Sequence, residues 1–227
     1  MGIRSHLRNA RNTAIRAVRA ASYLRLYGKY REFTMAPRGA YWRNLLIAND
    51  SRHVAGCIVE CGVWRGGASA GMAEVLGPGR EYFLFDSFEG LPPAKDLDGE
   101  AAKAWQQDTQ SDSYFDNCSA PMDYAERAMK RSGVPRFTIK KGWFEQTLPE
   151  FVPPLPIAIL RLDGDWYEST MTALESLYMY LARDGIVIVD DYYAWDGCSR
   201  AIHDFLSKNQ LTARLTQEHG ICVIRQK

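Results

Sequence analysis

From residue 57 to residue 191 short apolar runs alternate with amphipathic stretches, the pattern of strands and helices taken in turn. "CIVECG" (57–62) predicts a first strand, and "GGASAGMAEVLG" (66–77) a helix ended by Gly77. "EYFLFD" (81–86) predicts the second strand, "MDYAERAMKRSG" (122–133) a helix, and "RFTIKKG" (136–142) the third strand. "LPIAILRLD" (155–163) reads as the fourth strand, "YESTMTALESLYMYLARDG" (167–185) as a helix, and "IVIVDD" (186–191) as the fifth strand. A helix over 197–208 then leads to "LTARLTQ" and "ICVIRQK", which Glu218, His219 and Gly220 join as a hairpin.

Apolar strands joined by helices imply a mainly parallel sheet covered on both faces. The last two strands are too close together for a helical crossover, so they are expected to be antiparallel. A doubly wound α/β sheet that ends in such a hairpin resembles the class I S-adenosylmethionine methyltransferase fold, seven strands in the order 3-2-1-4-5-7-6. Residues 1–55 are expected to form an N-terminal helical arm and cap, and 56–227 the methyltransferase-like domain. Residues 87–117 are long and polar for a connection and read as a mobile lid or substrate loop. Within it Trp105, Tyr114 and Phe115 either touch an acceptor or anchor the loop.

Charge changes the picture at one end only. Lys and Arg number 28 against 27 Asp and Glu, but eight of the basic residues and no acid fall within residues 1–31, leaving 20 against 27 in the rest. Ile3, Leu7, Ala14, Ile15 and Val18 recur there at helix-like spacing. This predicts an arm that packs on the domain or on a second subunit, in preference to one that contacts an anionic membrane surface or nucleic acid. Five cysteines without a CxxC pair fit a reduced, cytoplasmic protein. Four scattered histidines disfavour zinc.

Two places carry candidate chemistry. "VECGVWRGGAS" (59–69) lies between the first strand and its helix, where open α/β sheets bind nucleotide-like ligands. Gly62 and Gly66 allow close approach of the backbone, and the helix N-terminus offers N–H groups to a carboxylate. Glu60 suits a cationic amine and would repel a pyrophosphate, which favours S-adenosylmethionine over a dinucleotide. Asp86, with Ser87 beside it, ends the second strand where ribose hydroxyls would lie. Trp143 either packs on an adenine or belongs to the core.

The second place is the rim formed by strands four and five. Asp163 closes one, and Asp190 and Asp191 close the other. Neighbouring strands would bring the three carboxylates together, where they would repel unless a cation sat among them. An all-oxygen set favours Mg²⁺, with Mn²⁺ or Ca²⁺ as substitutes. The plainer alternative is solvated strand-end acids or helix caps.

"IVECGVWRGG", "FDSFEGLP", "LDGDWYEST" and "VIVDDYYAWDGC" together closely resemble the macrocin-type and mycinamicin-type sugar O-methyltransferases of antibiotic biosynthesis. The resemblance implies methyl transfer from S-adenosylmethionine to a sugar hydroxyl on a small-molecule glycosylated acceptor, with Mg²⁺. It puts Asp163, Asp190 and Asp191 on the metal and Asp165 at the position of the general base. A homodimer or higher homo-oligomer is expected, and the arginine-rich segment 1–31 departs from the family. Three rival readings are weighed beside it: a haloacid-dehalogenase-type phosphatase using Asp163 and Asp165 with "IVIVDD" as its metal-binding strand, a DxD glycosyltransferase, and a non-catalytic methyltransferase-like subunit.

Overall fold

The structure, a computed structural model, describes residues 22–225, so most of the predicted arm lies outside the described residues. Seven strands form one sheet in the order β3-β2-β1-β4-β5-β7-β6. They are β1 (Cys57–Cys61), β2 (Tyr82–Asp86), β3 (Phe137–Lys141), β4 (Ile157–Leu162), β5 (Leu181–Val189), β6 (Arg214–Glu218) and β7 (Ile221–Arg225). The first five pair in parallel, while β7 runs antiparallel to both β5 and β6. The expected sheet order and closing hairpin are thus present.

Successive side chains of a strand point to opposite faces, and the core divides accordingly. On one face Ile58, Leu84, Ile159 and Ile188 meet helices α1 (residues 22–30), α2 (Arg38–Asp50), α3 (Gly67–Leu76) and α5 (Met122–Ser132). On the other, Val59, Phe85, Leu160 and Val189 meet α7 (Tyr167–Leu177) and α8 (Asp196–Lys208). The N-terminal layer is part of the first core: Tyr23, Tyr30, Phe33, Tyr41 and Leu45 are buried in it. Among the described residues no helix is long and apolar enough to cross a membrane.

Two segments differ from the sequence reading. The helix expected over 167–185 stops at Leu177, passes through a 3₁₀ turn (Tyr178–Tyr180), and β5 begins at Leu181. Ile157 pairs with Leu181 and Ile159 with Ile186, so the ladder skips a short stretch in which Asp184 is left-handed at φ 63°. Burial of Leu181 against the sheet outweighs the helix propensity of "YLARDG".

The segment 87–117 also contains regular structure: a 3₁₀ turn (Asp96–Asp98), helix α4 (Gly99–Gln107) and a second turn (Asp116–Cys118). It is docked on the start of α7, where Trp166 Nε1–H donates to Pro92 O at 2.9 Å and Tyr167 N–H to Asp98 Oδ1 at 2.7 Å. Trp105 anchors it, with ring centroids 6.2 Å from Trp166 and 5.9 Å from Trp195, while Phe115 is exposed.

β1 and β4 close tightly on each other where they reach the rim. Gly62 has φ 89°, and a Cβ there would lie 1.8 Å from Asp163 O. Gly62→Ala is therefore expected to destabilise the fold by about 3 kcal/mol or more, since both the backbone and the neighbour must shift. Denaturant unfolding measures this, and a loss below about 1 kcal/mol, the ordinary effect of a point substitution, would contradict the packing.

Candidate active site

The carboxyl ends of the parallel strands open into a cavity of about 880 Å³, the usual ligand position in an open α/β sheet. Glu60, Gly62, Asp86, Ser87 and Trp143 from the cofactor prediction line it, as do Asp163, Asp165, Asp190 and Asp191 from the acid prediction. Gly66 does another job. It caps α3 at φ 80°, and its missing Cβ leaves room for Ala125 Cα, while Gly67 and Ala68 form the cavity wall.

The first turn is held together by the two acids expected to meet a ligand. Asp86 Oδ2 accepts the N–H groups of Val63 and Trp64 at 2.6 and 2.7 Å, and Oδ1 accepts that of Phe88 at 2.7 Å. Burial pushes its pKa up, and these N–H groups oppose the rise. One lone pair of Oδ1 remains for a ligand hydroxyl. Ser87 turns the chain, accepting Glu89 N–H at 3.1 Å and donating to Gly90 O at 3.2 Å. Trp143 precedes the short helix α6 (Phe144–Thr147), and its carbonyl accepts the N–H groups of Gln146 and Thr147.

Glu60 is 1% exposed, and both its oxygens have protein partners. Ser69 of α3 donates to Oε2, and Arg161 Nη1–H donates to Oε1 at 2.7 Å. Burial raises the Glu60 pKa, with Arg161 pulling against it. Its charge is therefore shared with a buried arginine that the sequence reading did not single out.

At the rim, Asp163, Asp190 and Asp191 each offer a carboxylate oxygen, and all three atoms lie within 4.8 Å of one another. Arg161, 2% exposed, reaches Asp163 Oδ2 at 2.7 Å and Asp190 Oδ2 at 3.1 Å. Burial lowers its pKa, but Asp163, Asp190 and Glu60 outweigh this and keep it charged. Burial likewise drives Asp163 and Asp191 well above the usual carboxylate range, and neighbouring acids add to the rise. One guanidinium cannot balance this many carboxylates. The hard, all-oxygen donor set and its excess negative charge fit a divalent cation.

Asp165 stands beside this cluster in a left-handed conformation, φ 58°. Its N–H donates to Asp191 Oδ2 at 3.2 Å, and Trp195 Nε1–H donates to its Oδ1 at 2.8 Å. Its Oδ2 has no hydrogen-bond partner among the described residues. Burial pushes its pKa up to about 7 against the pull of the Trp195 bond.

The sequence reading missed Arg161, Asn44 and the wall formed by Phe33, Thr34, Met35 and Ala36. Arg161 had a visible signal: it is a charged residue inside the otherwise apolar strand "IAILRL". Asn44 had none, because its partner lies 117 positions away.

Comparison with known proteins places the chain among methyltransferases. The sequence profile described as Macrocin-O-methyltransferase (TylF) matches residues 41–227. The chain is similar to 8-demethyl-8-(2,3-dimethoxy-alpha-L-rhamnosyl)-tetracenomycin-C 4'-O-methyltransferase of Streptomyces olivaceus, at 35% identity over 74% of this chain and 64% of that protein. It is 30% identical to mycinamicin III 3''-O-methyltransferase of Micromonospora griseorubida over 72% of this chain and 65% of that one. The chain thus spans just under two thirds of the length of these curated relatives. The solved O-methyltransferase NovP superposes with a TM-score of 0.68 at 26% identity, covering 82% of this chain and 80% of NovP. The calicheamicin methyltransferase CalS11, at 21% identity and a TM-score of 0.65 over 90% and 91% of the two chains, shares the fold.

Proposed function

This chain belongs to the Macrocin-O-methyltransferase (TylF) family, and from that membership we propose that it moves a methyl group from S-adenosylmethionine to a sugar hydroxyl on a glycosylated natural product. The observation that carries the reading is the meeting of two sites in one cavity: the Glu60–Asp86 turn on one side and the acids of β4 and β5 on the other. The phosphatase reading uses Asp163, Asp165 and the "IVIVDD" strand, and the glycosyltransferase reading the DxD pair, but both leave that turn without a role.

Asp163, Asp190 and Asp191 would hold a divalent cation, whose chemistry when bound is to lower the pKa of an acceptor hydroxyl. Asp165 would take the proton on Oδ2, with Trp195 holding the other oxygen in place. The backbone N–H groups that start α3 suit the carboxylate of the cofactor's methionine end. Glu60 supplies negative charge near its amine, in company with Arg161. Asp86 would accept a ribose hydroxyl and Trp143 would pack on the adenine, both from the cavity lining. Holding donor and acceptor face to face in one cavity would contribute rate through orientation.

S-Adenosylhomocysteine is expected to raise the melting temperature, whereas NAD and nucleotide sugars leave it unchanged. At a ligand concentration 100-fold above Kd the gain is about 2.7 kcal/mol. Stabilisation by NAD alone would count against the reading. Incubation with S-adenosylmethionine, Mg²⁺ and a panel of deoxysugar glycosides should yield a singly methylated product by mass spectrometry. Binding of the cofactor product without transfer to any glycoside would favour the non-catalytic subunit.

A further inference from the structure

Arg161 is surrounded on four sides. Nη1 donates to Glu60 and Asp163, Nη2 lies 3.1 Å from Asp190 Oδ2, and Nε donates to Asn44 Oδ1 at 3.2 Å. Asn44 in turn donates from Nδ2 to Asp190 Oδ1 at 2.8 Å. Asn44 lies on α2, in the N-terminal layer, and is 2% exposed. Both oxygens of Asp190 and one of Asp163 are thereby fixed in direction by protein groups.

We propose that Arg161 and Asn44 are positioning residues that aim Asp163 and Asp190 at the cation, and that Arg161 also ties this cluster to the cofactor turn through Glu60. The inference rests on the cation site proposed above. A guanidinium is a planar fork with directed donors, which a lysine ammonium does not reproduce. Asn44 fixes the plane of the fork and one carboxylate at once, by a neutral contact. The N-terminal layer therefore contributes to the site through bonds as well as through the core. The two residues differ in reach: Arg161 touches Glu60 and Asp163, and Asn44 touches neither.

That difference gives the test. Mn²⁺ affinity is measured by electron paramagnetic resonance, and S-adenosylhomocysteine affinity by calorimetry, in the whole chain and in Arg161→Lys and Asn44→Ala, both of which conserve charge. Loss of partners that orient metal ligands typically weakens binding about 10- to 100-fold, and both variants are expected to lose Mn²⁺ affinity in that range. S-Adenosylhomocysteine affinity should fall only in Arg161→Lys. A purely structural role would lower the melting temperature of the metal-free protein and leave Mn²⁺ affinity alone, which overturns the proposal. So would unchanged Mn²⁺ binding in Asn44→Ala, the variant that decides the matter if Arg161→Lys does not fold. Failure of the unaltered chain to bind Mn²⁺ would instead remove the cation site itself, and the positioning role with it.

Discussion

Asp165→Asn is expected to slow methyl transfer by about 10²- to 10⁴-fold, the usual contribution of a positioned general base, while S-adenosylhomocysteine and Mn²⁺ bind as before. The substitution isolates the proton step because it changes little else. Asn keeps an Oδ1 that accepts the Trp195 N–H bond seen at 2.8 Å, and it tolerates the left-handed backbone at φ 58° better than most residues. What it lacks is a carboxylate oxygen to take a proton. Single-turnover rates with an acceptor from the glycoside panel measure the effect. A rate close to that of the unaltered enzyme would show that the proton leaves by another route.

The second large effect concerns the cation. Chelation with EDTA should abolish transfer, and Mg²⁺ or Mn²⁺ should restore it; full activity after exhaustive chelation would refute the cation site. Asp191→Ala should reduce Mn²⁺ affinity by more than the roughly 10- to 100-fold expected of the outer residues. Its effect on the metal-free fold should run the other way. Asp191 is half-buried beside Asp165, Asp163 and Asp190, all of which oppose its ionisation. Removing one member of a crowded like-charge cluster relieves repulsion, so the melting temperature of the metal-free variant should hold or rise. A protein that becomes more robust as it loses function is the signature of a site kept for its chemistry.

Most strands were legible because they are short apolar runs bounded by Gly, Pro or charge, and the last pair because the terminal hairpin is too short for a crossover. The boundary of α7 was not. "LESLYMYLARDG" carries no breaker before Gly185, and only the pairing of Leu181 with Ile157 across the sheet makes its second half a strand. Helix α4 was passed over although "GEAAKAWQQ" is rich in helix formers, because the polar character of 87–117 as a whole dominated the reading.

In the site, the acids were legible since strand ends point to a common rim and few other roles suit three of them. Their supporting partners were not. Asn44, Trp195 and Ser69 reach their carboxylates from separate elements, and nothing in local spacing announces such contacts. Glu60 and Asp86 illustrate the limit from the other side. Their position in the chain located the pocket, but only the structure shows how many of their oxygens the protein already uses.

Phe33, Thr34, Met35 and Ala36 wall the cavity from a stretch that precedes residue 41, where the family match begins, whereas every acid of the site follows it. Phe33 is also buried in the core, and its carbonyl lies against Gly67 at the start of α3. A change in that short stretch would alter the cavity wall beside the start of α3 and leave the acids of the rim where they stand.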